Sequence, residues 1–264
     1  MYPSIVGLPS YFLMWALSPL ATVPLGLARI RHGNAGPIGR GIVAGCLLFS
    51  IVFVGAKLLF FAEAAWFPED DYVPEAMRGP LHGFRIPGGV AALALALPLV
   101  VRLFGLPPAY ADRFIPIVPV AIAFVRVGCF LNGCCFGYAA DLPWALTFPR
   151  ESWVFLFQVE RAGLPATSPH PLPVHPLQLY LLLASLGTLA ALLVYERCRL
   201  YREGDLPWLF FLLFFGSTAL LEPLRANPLS LNHWIVLPGI LIPASVLVFR
   251  HHLAATPPVV RCAQ

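Results

Sequence analysis

The stretch VRVGCFLNGCCFG, from Val125 to Gly137, packs one arginine, one asparagine, three glycines and three cysteines against the end of a long apolar run. An arginine in that setting suits an anionic ester, because its fork of N–H donors matches two phosphate oxygens. Gly128, Gly133 and Gly137 let backbone approach a ligand, and their N–H groups can line an anion site. The competing reading is an interfacial arginine reaching toward headgroups, among small residues that pack helices. Three further sites place polar groups in or beside apolar runs. Lys57 in VGAKLLFF needs an acceptor or a route to water. His175 opens HPLQLY, and Gln178 one turn on shares its face. Glu222 and Arg225 stand three apart in EPLR, the spacing of a local helical ion pair.

The chain's six cysteines follow no disulfide-scaffold pattern. Four readings of Cys129, Cys134 and Cys135 stay open. They are small packing residues near a helix end, a disulfide between two of the three, a nucleophilic thiol activated by Arg126, or a metal site joined by His175. Their spacing matches no standard zinc pattern, so neither a metal nor a cofactor is expected.

What must position these groups is a membrane. Of 264 residues, 59% are hydrophobic and 11% charged, against roughly 25% charged in a soluble domain. A span needs about 20 mainly apolar residues. Seven runs qualify, near 8–28, 41–62, 87–101, 114–131, 176–195, 206–222 and 234–249. The first 28 residues carry no charge, and the first basic residues follow the apolar run, so that run reads as a retained span rather than a secretory signal. The expectation is an all-α integral membrane protein with one transmembrane domain over 1–250, a head region about 132–175 between spans four and five, and a tail over 251–264.

Lys and Arg concentrate on the cytoplasmic side of such proteins. Arg29, Arg31, Arg40, Arg102, Arg113, Arg197, Arg199, Arg202, Arg250 and Arg261 fall on one side. Arg78, Arg85, Arg126, Arg150, Arg161 and Arg225 fall on the other, in longer segments. The N-terminus is therefore expected outside, the C-terminus in the cytoplasm, and the Val125–Gly137 cluster with the head region at the outer face. The net charge of +4 comes with no basic block of the kind that binds nucleic acid.

Taken in order, these pieces resemble the bacterial prolipoprotein diacylglyceryl transferase family. PSYFLMWAL is similar to the family's early tyrosine motif at Tyr11. GAKLLFF resembles a second-span motif that usually has arginine where this chain has Lys57. HGFRIPGGV resembles the His-Gly-Gly segment and matches Gly88 and Gly89. RVGCFLNGCCFG is similar to the Arg-x-Gly-Asn-x-x-Asn-Gly signature, HPLQLY to His-Pro-x-Gln-Leu-Tyr, and EPLR to the late Glu-x-x-Arg.

The resemblance implies seven spans in a bacterial inner membrane and transfer of a diacylglyceryl group from phosphatidylglycerol to a lipobox cysteine, with glycerol phosphate leaving. It implies catalytic roles for Tyr11, Arg126, Asn132 and His175. It implies substrate binding by Lys57, Gly88, Gly89, Gly128, Gly133, Gly137, Gln178, Glu222 and Arg225.

Three positions depart from the family pattern. Pro87 stands where the family has the histidine before Gly-Gly, Cys129 where it has asparagine, and Thr218 where it has arginine. His82 lies five residues before Pro87 and points about 140° away if the segment is helical. Two alternative expectations follow. One is a diverged enzyme that uses an outer-face cysteine and a different acceptor. The other is a non-catalytic phospholipid-binding protein.

Overall fold

The computed structural model describes residues 4–5, 8–31, 37–66, 83–226 and 232–255. His82 and the side chain of Tyr11 lie outside the described residues, as do residues 256–264 of the expected tail. Among the described residues, two short strands pair antiparallel, β1 (Ser4–Ile5) with β2 (Leu8–Pro9), ahead of nine α-helices. These are α1 (Ser10–Arg31), α2 (Ile38–Trp66), α3 (Ile86–Leu103), α4 (Ala109–Phe114), α5 (Ile117–Asn132), α6 (Trp153–Arg161), α7 (Leu177–Tyr195), α8 (Leu206–Leu221) and α9 (Asn232–Ala255).

Among the described residues, seven segments are long and apolar enough to cross a membrane, with α4 and α5 together supplying the fourth. Each contains one of the seven expected runs or overlaps most of it. Their outward faces carry large apolar side chains, with Leu95 80% and Leu220 76% exposed. That pattern suits hydrocarbon as the surrounding solvent.

Two boundaries differ from expectation for physical reasons. α2 runs past residue 62 because Glu63, which reads as a polar stop, is buried and paired with Arg85 at 2.7 Å. The fourth span begins earlier because Arg113 and Asp112 are helical, and the buried Asp112 carboxylate accepts from Tyr201 at 2.9 Å and from the Leu206 N–H at 3.1 Å.

α1 packs on α5, α2 on α3, α5 on α7, and α8 on both α7 and α9. Tyr110, Leu48, Leu93, Leu192, Phe210 and Phe215 sit in the central core. At one end of the bundle Glu196 joins Arg29 at 2.9 Å and Arg113 at 2.7 Å, and Asp205 joins Arg250 at 2.7 Å. The candidate polar cluster lies at the opposite end, at the finish of α5 and α8 and the start of α7.

Small residues let α2 and α3 touch backbone to backbone. A β-carbon added at Gly88 would lie 2.4 Å from Leu59 Cβ and 2.6 Å from the Gly55 carbonyl oxygen; at Gly89 it would lie 2.7 Å from the Val52 carbonyl oxygen. Gly88→Val is therefore expected to cost about 1–3 kcal/mol, read as a lower thermal unfolding midpoint in detergent.

Candidate functional site

α5 ends at Asn132 because Gly133 adopts the left-handed conformation, φ 73°, that closes a helix. Its N–H donates to the Phe130 carbonyl at 3.2 Å, and the Cys134 N–H donates to Cys129 at 3.1 Å. The chain folds back over its own last turn. Cys135, at φ 60°, is the only non-glycine with positive φ among the described residues, a conformation that costs energy and collects at functional sites. Gln178, fully buried, clamps the turn by donating to the Cys134 carbonyl at 2.7 Å. The sulfur atoms of Cys129, Cys134 and Cys135 all come within 4.8 Å of one another.

Beyond this turn, three segments are joined by backbone bonds. Gly137 donates to His175 at 3.0 Å, His175 to Tyr138 at 3.0 Å, Tyr138 to Leu224 at 2.9 Å, and Ala226 to Phe136 at 3.2 Å. They bring Arg225 and His175 beside the end of α5. A β-carbon at Gly137 would lie 2.6 Å from His175 Cβ and 2.7 Å from the Leu224 carbonyl oxygen. Gly137→Ala is therefore expected to cost about 1–3 kcal/mol and to part these segments, measured as a fall in the thermal unfolding midpoint. The head region that follows is ordered around its own small core of Phe136, Phe148, Val154 and Val174. α6 is capped by Ser152, which accepts from the Phe155 N–H.

Arg126 is buried, 6% exposed. Its Nε has no hydrogen-bond partner, and no carboxylate pairs with it, among the described residues. The Nδ2 of Asn132, also buried, is likewise unspent. Arg126 lines a small cavity between α5, α7 and α8 with Ser185, Thr188, Ser217 and Thr218. Each of these hydroxyls donates to a carbonyl of its own helix, at 2.8–2.9 Å. Only oxygen lone pairs remain for the cavity, and they can solvate a cation but cannot neutralise it. A buried charge without a counter-charge is costly, so an anion brought against the guanidinium would relieve that cost; the cavity itself, about 10 Å³, has room for about one water.

Across α5 lies a second cavity of about 470 Å³, almost wholly apolar, walled by Trp15, Phe49, Phe53, Phe84 and Val125 among others. Ile122 borders both spaces. Lys57 Nζ stands 4.8 Å from the centre of the Phe84 ring, on this cavity's wall.

Glu222 and Arg225 form the expected pair, at 2.8 Å. Burial works against the Arg225 charge, but Glu222 and the Cys135 sulfur outweigh it and raise its pKa. Hydrogen bonds from the Cys129 and Cys134 thiols hold the Cys135 thiol well below the usual range, aided by Arg225 and Arg126. His175 Nδ1 lies 3.3 Å from the Tyr180 hydroxyl, which accepts from the Trp144 indole N–H at 2.8 Å.

The fold thus gathers Arg126, Asn132, Gly133, Gly137, the three cysteines, His175, Gln178, Glu222 and Arg225 at one end of the bundle. Gly128 is buried within α5. Lys57, Gly88 and Gly89 sit on α2 and α3 instead, and the two glycines serve helix packing. Pro87 occupies the first turn of α3, where its missing N–H costs nothing. His175 is not part of the thiol group. Sequence reasoning missed Ser185, Thr188 and Ser217. Their only signal was hydroxyls inside two otherwise apolar runs.

Comparison with known proteins adds the following. Residues 5–249 match the sequence model of a family described as prolipoprotein diacylglyceryl transferase. Among relatives, a phosphatidylglycerol–prolipoprotein diacylglyceryl transferase of Bordetella avium is 28% identical over 86% of this chain and 84% of its own length. Those of Methylobacillus flagellatus (27%, covering 92% of each chain) and Ralstonia pickettii (31%, covering 77% and 75%) are similar to the same degree.

Proposed function

The chain belongs to the prolipoprotein diacylglyceryl transferase family, and on that footing we propose that it moves a diacylglyceryl group from phosphatidylglycerol to the cysteine thiol of a prolipoprotein. It is a multi-pass membrane protein. It works in a bacterial inner membrane with its N-terminus outside, its C-terminus in the cytoplasm and the Arg126 end facing out. The distribution of basic residues supports that orientation.

The observation that carries the reading is the buried guanidinium of Arg126, which meets no carboxylate among the described residues. Arg126 holds the donor's phosphate, and Asn132 adds a donor as that phosphate becomes the leaving group. Negative charge grows on the phosphate oxygens when the glycerol C–O bond breaks, so fixed donors there lower the barrier. The acyl chains take the large apolar cavity beside α5. Tyr11 is assigned to orienting the donor, His175 with Tyr180 to the acceptor side, and Glu222 to holding Arg225.

A route through an enzyme cysteine as nucleophile is chemically poor. It forms a thioether on the protein, and a thioether sulfur is too weak a leaving group to pass the lipid on. Rescue of a bacterial strain depleted of its own transferase tests the proposal. The wild-type chain restores growth and Arg126→Ala does not. Failure of the well-expressed wild-type chain contradicts it.

A further inference from the structure

The family pattern places an asparagine at Cys129 and a histidine at Pro87, and this chain instead brings three thiols together. We infer that Cys129, Cys134 and Cys135 hold a zinc ion whose open fourth position binds the acceptor cysteine of the prolipoprotein as a thiolate. The inference rests on the transferase reading above.

Geometry is the first support. The three sulfur atoms lie within 4.8 Å of one another, one buried and two partly buried. Tetrahedral zinc–thiolate bonds of about 2.3 Å put sulfur atoms about 3.8 Å apart, so closure needs about 1 Å of movement at most. The turn is built for this convergence. Gly133 and the strained Cys135 fold the chain back onto Cys129, and Gln178 pins the Cys134 carbonyl.

A disulfide uses the cluster less well. It leaves one thiol over. The neighbouring pair has Cα atoms about 3.8 Å apart, below the usual disulfide range.

Charge balance is the second support. Zinc with three thiolates carries one negative charge. Arg225, beside Cys135, turns its positive charge toward that group, and Arg126 stays free for the donor's phosphate. Zinc fits the task better than a redox metal, because it stays redox-inert beside thiols. With three protein ligands it also keeps one position for a reactant.

The chemistry is the third support. The acceptor thiol must lose its proton to attack, and a thiol coordinated to zinc is deprotonated outright. Binding releases that proton to water at the outer face. The zinc-bound sulfur attacks the glycerol carbon that bears the phosphate. The S–C bond forms, the C–O bond breaks, and glycerol phosphate leaves with the bonding electron pair. The neutral thioether is a poor zinc ligand and departs, leaving the metal as it began. Zinc thus does the proton-removing work for which the family's histidine is absent here.

The test uses the full-length reduced protein in detergent, with Zn²⁺ and Co²⁺ as probes and a lipobox peptide as acceptor. One zinc per chain is expected, together with tetrahedral ligand-field and thiolate-to-cobalt charge-transfer bands on Co²⁺ loading. Those bands should shift with the cysteine peptide and stay unchanged with its serine analogue. Cys129→Ser, Cys134→Ser and Cys135→Ser should each lower zinc retention at least tenfold. The wild-type cobalt spectrum keeps the test decisive should a variant misfold. Absence of metal binding, retention of zinc in all three well-folded variants, or a cobalt spectrum indifferent to the cysteine peptide overturns the inference. Intact metal and peptide responses without lipid transfer would instead count against the transferase reading alone.

Discussion

Arg126→Ala lowers the rate of diacylglyceryl transfer by roughly 10²–10³-fold, the usual consequence of removing a fixed donor from a site where anionic charge develops. The same substitution leaves the thermal unfolding midpoint unchanged or raises it. The reason is that the guanidinium is buried and its Nε has no partner among the described residues, so the free protein loses no ion pair when it goes. A structural arginine behaves in the opposite way, because its removal abandons a buried partner. Arg126→Lys keeps the charge and loses the two-pronged fork that matches phosphate, so its rate falls between the two. Initial rates with labelled phosphatidylglycerol, taken with unfolding curves of the same preparations, check both halves of the expectation.

Glu222→Ala is expected to destabilise the protein by about 3–5 kcal/mol, the cost of leaving one member of a buried pair behind. Arg225 and Glu222 have only 8% and 12% of their side chains exposed and sit 2.8 Å apart. Without Glu222 the Arg225 charge loses its carboxylate partner and keeps the weaker support of the Cys135 sulfur. Arg225→Ala removes the carboxylate's ion-pair partner at 2.8 Å. The double variant removes both charges and should be less destabilised than the two single variants summed, since groups in direct contact do not act additively. Unfolding free energies of the four proteins in one detergent give the coupling directly.

The seven spans were legible because hydrophobic length alone identifies them. α8 is apolar around its circumference except for Ser217 and Thr218 near its end, a pattern that suits a membrane span. The polar residues around Arg126 were legible for the converse reason, since ionisable groups beside spans are too costly to be incidental.

What was not legible depends on contacts distant in sequence. Glu63 ends an apolar run on paper, but Arg85 pairs with it and the helix continues. Gly88 and Gly89 fit a motif, whereas their work of packing α3 on α2 needs Gly55 and Leu59 in view. The head region reads as a loop because α6 has nine residues and borrows its core from Phe136, Phe148 and Val174. The meeting of the cysteines escaped the spacing rules because a left-handed glycine followed by a left-handed cysteine folds Cys134 and Cys135 back onto α5. The polar network of Asp112 and Asp205 at the other end rests on hydrogen bonds between α4, α8 and α9 that no local pattern announces.

Reconstitution of the purified protein in vesicles with labelled phosphatidylglycerol and a lipobox peptide is the most direct measurement. Expected are a thioether-linked diacylglyceryl peptide and an equal amount of released glycerol phosphate, with both formed roughly 10²–10³-fold more slowly by Arg126→Ala and both absent for a peptide with serine in place of its cysteine. No product from the wild-type protein, beside a control transferase that works under the same conditions, contradicts the assignment.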